Sequence, residues 1–295
     1  MVAIRAIDTV ARPDFAGEVS GIDLTRPLTA AEVAAVAAGM DRFAVLVFRD
    51  QRLTDEQQIA FSANFGPLEQ ATGDLAQGAA RRLSMQVNDI SNLDRENRVL
   101  ARDDRRRLFG LGNRLWHSDS SFKPTPAKYS ALSARVIPGG GGNTEFADMR
   151  AAYDALDEAT KAEIADLVCL HSQLFSRAAI GFDTFTEDER VRFAPVPQRL
   201  VRRHPVTGRK SLFLASHAGA IVGWPVPEAR AFLRDLTEHA TERRFVHAHV
   251  WRMGDLVMWD NRVTMHRARP FDAREVRDMH RTTVADSAPT LEQAA

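Results

Sequence analysis

The last fifty residues of the chain are strand-rich, and this limits the folds open to it. Strand-like runs at 245–251, 256–259, 263–266 and 277–284 are parted only by short polar segments. Strands so closely spaced bury their apolar sides only by facing other strands. Gly254-Asp255 reads as a tight turn between the first two runs. Further strands are expected at 15–22, 44–48, 83–87, 129–136, 144–147 and 168–172, with a hairpin at 200–203 and 211–214. Thr29-Ala30-Ala31-Glu32 and Thr54-Asp55-Glu56-Gln57 are capping boxes that open two helices. Asp148 and Asp157 cap two more, and 225–242 is amphipathic. Two stretches, 97–114 and 173–189, read as irregular. The first is a charged loop, or a lid that orders over a nearby site. No βαβ rhythm and no Gly-x-Gly-x-x-Gly occurs, which argues against a dinucleotide-binding sheet. Gly139 to Gly142 lead into a strand without a following Lys-Ser/Thr, so they are no phosphate loop. The pattern predicts one domain over 1–295, mainly β with helices: a jelly-roll core flanked by helices.

Composition narrows the partners. Lys+Arg and Asp+Glu are both 39, so the formal charge is zero. That balance gives no reason to expect nucleic acid or an anionic membrane. No run approaches the ~20 apolar residues of a membrane span, and no secretory leader is apparent. Cys169 is the only cysteine, which suits a reducing cytoplasm and leaves any metal site to His and carboxylate.

Such ligands are present. In Trp116-His117-Ser118-Asp119, a strand would turn His117 and Asp119 to one face and Ser118 away. His266 would join them from a distant strand. Two imidazoles and a carboxylate on one face of an ion leave positions open for a co-substrate and O2; they suit Fe(II), and zinc also accepts them. His247-x-His249 is a rival pair, and local spacing leaves the choice open. Downstream, Arg277 and Arg281 weigh for His266. They stand four apart, so on a strand they share a face. Guanidinium forks grip carboxylates and sulfonates bidentately and stay charged when buried.

Set in order, these pieces resemble the taurine/2,4-dichlorophenoxyacetate dioxygenase family of Fe(II)- and 2-oxoglutarate-dependent oxygenases. The similar segments include Gly21-Ile22-Asp23-Leu24, Trp116-His117-Ser118-Asp119-Ser120-Ser121-Phe122, Gly142-Asn143-Thr144, His204-Pro205-x-Thr207-Gly208-Arg209, Trp251-x-x-Gly254-Asp255-Leu256, Trp259-Asp260-Asn261-Arg262 and His266-Arg267-Ala268. Residues 146–156 and Val246-His247-Ala248-His249 look closest to the phenoxyalkanoate herbicide dioxygenases.

The resemblance implies a double-stranded β-helix with His117, Asp119 and His266 as iron ligands. It implies that Thr144 hydrogen-bonds the carboxylate of 2-oxoglutarate near the metal and that Arg277 pairs with the distal one. Arg281 matches an arginine that binds the anionic group of the primary substrate, and no further catalytic side chain is implied. His247 and His249 then lie on a core strand. The reaction implied is oxidative decarboxylation of 2-oxoglutarate coupled to hydroxylation of an acidic small molecule. An aryloxyalkanoate such as 2,4-dichlorophenoxyacetate would be cleaved at its ether to a phenol and a 2-oxo acid. The alternative is a sulfonate or alkyl sulfate, which Arg281 would grip equally well. Leu108-Phe109 and the apolar residues of 173–189 are candidates for the wall that holds the substrate. A homo-oligomer is expected, since relatives of this kind commonly self-associate.

Overall fold

The computed structural model describes residues 1–71 and 81–293. Its larger sheet has seven strands, in spatial order Ala3–Ala6, Gly17–Ser20, Val45–Phe48, Leu256–Asp260, Ala127–Val136, Asp278–Ala285 and Asn88–Asp89. All neighbours are antiparallel except Gly17–Ser20 beside Val45–Phe48. A second sheet sets Thr144–Asp148 between Val246–His249 and Thr264–Ala268, both antiparallel to it.

Side-chain alternation explains how these sheets pack. Along Val45–Phe48, Val45 and Val47 face the second sheet's side, while Leu46 and Phe48 face the other. Along Leu256–Asp260, Val257 and Trp259 join the first set, and Leu256 and Met258 the second. Phe146 of the second sheet meets Trp259 with ring centroids 5.5 Å apart, which closes the sandwich. The outer face of the large sheet is covered by Ala30–Phe43, through Val36, Met40 and Phe43, and by Phe61 of Asp55–Ala63. Behind the second sheet, Met265 and Ala147 pack on Val226–Ala240 through Leu233 and Leu236. Burying a side chain the size of Leu or Phe contributes about 1.5–3 kcal/mol, and the central strands are buried on both faces. Their runs are therefore continuously apolar, as the sequence shows at 44–48 and 256–259. The architecture is the expected one: a jelly-roll core flanked by helices.

Both capping boxes form, at Thr29 with Glu32 and at Thr54 with Gln57. Four local expectations need correction. Residues 83–87 make no strand; Val87 closes a turn on Ser84, and the pairing segment is Asn88–Asp89. The stretch 97–114 holds a helix, Arg105–Gly110, capped by Asp104, and a 3-10 turn at Leu111–Arg114. Arginine is a good helix former, so a charge run preceded by a capping aspartate need not be loop. The stretch 173–189 contains the helix Gln173–Ala178 and the start of Glu187–Arg192. The latter opens with a third capping box, Thr186 with Glu189, whose signature is legible in the sequence. Finally, Gly254 (φ +85°) does turn the chain, but the strands on either side belong to different sheets. The turn carries the chain across the sandwich. Within the weakly patterned region 71–114, residues 72–80 lie outside the described residues.

Candidate metal centre

His117 and His266 are partners through their backbones before they are partners through their rings. His117 N–H donates to His266 C=O at 3.0 Å, and His266 N–H donates back at 2.8 Å. That bridge sets the imidazole centroids 4.2 Å apart. His266 belongs to Thr264–Ala268, whereas His117 forms only this isolated bridge. Past it the chain turns, with Ser120 at φ +54°. The expected strand through 117–119 is therefore absent, and a turn delivers Asp119 instead. Ser118 points away as expected, its hydroxyl donating to Thr264 C=O at 2.9 Å. The backbone N–H of Asp119 donates to Asn261 Oδ1 at 3.0 Å, which pins the turn.

The three side chains converge. His117 Nε2 lies 3.9 Å from Asp119 Oδ1, and His266 Nε2 lies 3.7 Å from Oδ2. One ligand atom from each fits within 4.8 Å of the others, and no second group of three such residues occurs among the described residues. His117 Nδ1 sits 2.8 Å from Leu115 C=O and so carries the proton, which leaves the Nε2 lone pair facing the carboxylate. Burial pushes His117 below its ordinary pKa and His266 well below. Burial alone would raise Asp119, but Arg281, the two histidines and Ser130 hold it at about 2. At neutral pH the set is thus two neutral imidazoles and one carboxylate, the protonation state a divalent ion requires. His247 and His249 build no such set. His249 Nε2 pairs with Asp255 Oδ2 at 3.1 Å, and His247 Nε2 is buried without a partner.

Behind Asp119 stands a supporting chain of hydrogen bonds. Ser130 Oγ donates to Asp119 Oδ2 at 2.7 Å and accepts from Asn261 Nδ2 at 3.0 Å. Asn261 Oδ1 also accepts from Trp259 Nε1 at 3.0 Å. Next to it Arg262 holds Asp260 at 2.6 Å and His204 at 2.9 Å, all buried. The run Trp259-Asp260-Asn261-Arg262 is therefore the frame of the centre. Ser130 had no signal of its own; its place follows from the register that sets it opposite Trp259 and Thr283.

Arg281 donates from Nη1 to Asp119 Oδ1, so one guanidinium edge serves the carboxylate itself. Its Nε is buried without a partner. Arg277 precedes Asp278–Ala285, and a register shift follows between Asp278 and Met279. Simple strand spacing is thus broken, yet both arginines line one cavity of about 600 Å3 together with His117 and Asp119. Arg277 donates to Ile90 C=O at 3.1 Å and meets no carboxylate among the described residues; burial pushes its pKa down to about 10. Thr144, on the central strand of the second sheet, is not among the residues lining this cavity, but its partner in register, Ala268, is. Thr144 Oγ1 accepts from Trp251 Nε1 at 3.0 Å, which leaves the hydroxyl proton free to donate. Phe109, Leu111 and Phe122 line the same cavity. Phe109, expected as a wall residue, is buttressed by Phe182 and Phe185 at centroid distances of 5.5 and 6.4 Å. The apolar residues of 173–189 therefore act from behind. Arg177, from the same stretch, reaches the cavity and is a residue the sequence reading missed.

Two histidines and a carboxylate on one face of a jelly-roll cavity, with guanidiniums beside them, define a mononuclear non-haem metal enzyme for anionic molecules. The sequence model of the taurine catabolism dioxygenase TauD, TfdA family matches residues 8–283, and the chain belongs to that family. It is 46% identical to the alpha-ketoglutarate-dependent 2,4-dichlorophenoxyacetate dioxygenase of Cupriavidus pinatubonensis, across 94% of this chain and 96% of the relative. It is 39% identical to the (S)-phenoxypropionate/alpha-ketoglutarate-dioxygenase of Sphingobium herbicidovorans, across 92% of each. Among solved structures, AAD-2 in complex with Mn(II) and N-oxalylglycine superposes with a TM-score of 0.90 at 56% identity, covering 99% of this chain and 100% of that one. The protein is an Fe(II)- and 2-oxoglutarate-dependent dioxygenase. Among the described residues no helix is long and apolar enough to cross a membrane.

Proposed function

We propose that the enzyme hydroxylates an aryloxyalkanoate, with 2,4-dichlorophenoxyacetate as the type substrate, at the carbon bearing the ether oxygen. The product collapses to a phenol and a 2-oxo acid, while 2-oxoglutarate leaves as succinate and CO2. The observation that carries this reading is one cavity with two chemistries: Arg277 and Arg281 line it with His117 and Asp119, and so do Phe109, Leu111 and Phe122. A molecule that is acid at one end and aromatic at the other satisfies both. The relatives named for 2,4-dichlorophenoxyacetate and phenoxypropionate support the same choice.

In this reading His117, Asp119 and His266 hold iron. Iron supplies the site for O2 and couples decarboxylation of the co-substrate to oxidation of a C–H bond. Arg277 holds the distal carboxylate of 2-oxoglutarate, and Thr144 donates its hydroxyl to the carboxylate nearer the metal. Arg281 keeps Asp119 ionised and oriented, and offers its other edge to the acid end of the primary substrate. The aromatic wall excludes water and fixes the ring, so that the ether carbon lies toward the triad. The reading treats 1–295 as one catalytic domain, self-associating and cytoplasmic. A buried free thiol, Cys169, fits a reducing compartment.

A panel of acids scored by succinate release tests the substrate class. Aryloxyacetates and aryloxypropionates are expected to release succinate and phenol together. Release with taurine or an alkyl sulfate, and none with aryloxy acids, would overturn the choice.

A further inference from the structure

Five arginines are almost wholly buried: Arg150, Arg177, Arg202, Arg262 and Arg277. Three of them hold an aspartate: Arg150 with Asp148, Arg202 with Asp286 and Arg262 with Asp260. The other two, Arg177 and Arg277, meet no carboxylate among the described residues, and both line the cavity of the metal centre. An unpaired buried guanidinium costs several kcal/mol, so a fold keeps one where an anion arrives. The proposed reaction brings two acids to this cavity, and Arg277 is committed to one of them.

We propose that Arg177 is the principal grip on the acid group of the primary substrate, and so a specificity-determining residue of this enzyme. The proposal rests on the reading of the cavity given above and deepens it.

Local structure supports the role. Arg177 lies in Gln173–Ala178 and is 4% exposed. Of its five N–H donors, Nη1 bonds Ser176 Oγ at 3.0 Å, and Nε is buried with no partner. Its guanidinium stacks on Phe109 at 4.2 Å, which fixes the plane of the fork. Ser176 also bonds His217 Nδ1 at 2.9 Å, and the His217 ring lies 5.9 Å from His117. The fork thus stands on the triad's side of the cavity. Gly112 makes room for it: a Cβ there would fall 2.5 Å from the guanidinium carbon. Burial without a counter-charge also depresses the pKa of Arg177 to about 10, which an arriving carboxylate would reverse. Arg281, by contrast, already spends Nη1 on Asp119.

The test is equilibrium binding to the anaerobic Fe(II) and 2-oxoglutarate complex, measured by calorimetry. The ligands are the acid that the panel shows to be turned over and its neutral carboxamide. Arg177→Met is expected to weaken the acid about 30-fold, to leave the carboxamide within about threefold, and to leave 2-oxoglutarate affinity unchanged. A packing role would weaken acid and carboxamide alike. Should Arg177→Met fail to fold, Gly112→Ala displaces the fork without deleting it and is expected to weaken the acid about tenfold. Acid affinity within threefold of wild type in the folded variant overturns the proposal, while the substrate class stands on the panel alone. If the panel selects a sulfate or sulfonate, the aryloxy reading fails, and the same comparison on that anion still decides for or against Arg177.

Discussion

Replacing Asp119 by alanine is expected to lower substrate-dependent succinate release by at least about a thousandfold at saturating Fe(II). Of the three proposed ligands Asp119 would supply the only oxygen and the only negative charge, so its loss would remove both affinity and the geometry that leaves one metal face open. The damage spreads beyond the metal. Arg281 keeps its charge with no counter-ion, and Ser130 loses the acceptor that orders it. Asp119 is buried and Arg281 partly so, and breaking a fully buried pair costs about 3–5 kcal/mol, so the melting temperature is expected to fall by something less than that cost implies. Asp119→Asn keeps the shape and Ser130's acceptor, and is therefore expected to retain stability better than activity. Succinate assays with added Fe(II), run beside thermal melts, check this; turnover retained by the folded alanine variant would reject the triad.

Replacing Arg277 by alanine is expected to weaken 2-oxoglutarate about 100-fold. Truncating one partner of a buried, hydrogen-bonded charge pair costs about 2–5 kcal/mol, and each 1.4 kcal/mol is a factor of ten. The opposite sign is expected for the protein without co-substrate. There Arg277 is a buried charge with no carboxylate, its pKa depressed by burial, so the alanine variant should be no less stable than wild type. A titration of 2-oxoglutarate by succinate formation, with melts in its absence, separates the two effects. An unchanged apparent affinity would refute the assignment of Arg277.

Much of this was legible in the chain because it rests on local pattern. Capping boxes at Thr29 and Thr54 announce their helices through side chains three residues apart, and the buried strands announce themselves as apolar runs. Chemistry-bearing residues at His117, Asp119, His266, Arg277 and Arg281 were visible by type and order, and all of them line or meet at one cavity. What was not legible depends on long-range register. Nothing local marks Ser130 as the partner of Asp119, or sets His117 against His266 by backbone pairing. Gly254 looks like a hairpin turn because its flanks alternate correctly, and only the pairing shows that they join different sheets. Arg177 was hidden for a further reason. An arginine in a segment of mixed polarity reads as surface, and its burial follows from Phe109 and Gly112 arriving from another stretch.

One ferrous site built by His117, Asp119 and His266, with 2-oxoglutarate beside it, is the proposed heart of the enzyme. Anaerobic titration of the purified protein with Fe(II) and then 2-oxoglutarate tests this most directly. A weak visible charge-transfer band, saturating at one iron per chain and absent from His266→Ala, is the predicted result. No band in the wild-type protein, or an undiminished band in His266→Ala, would contradict it.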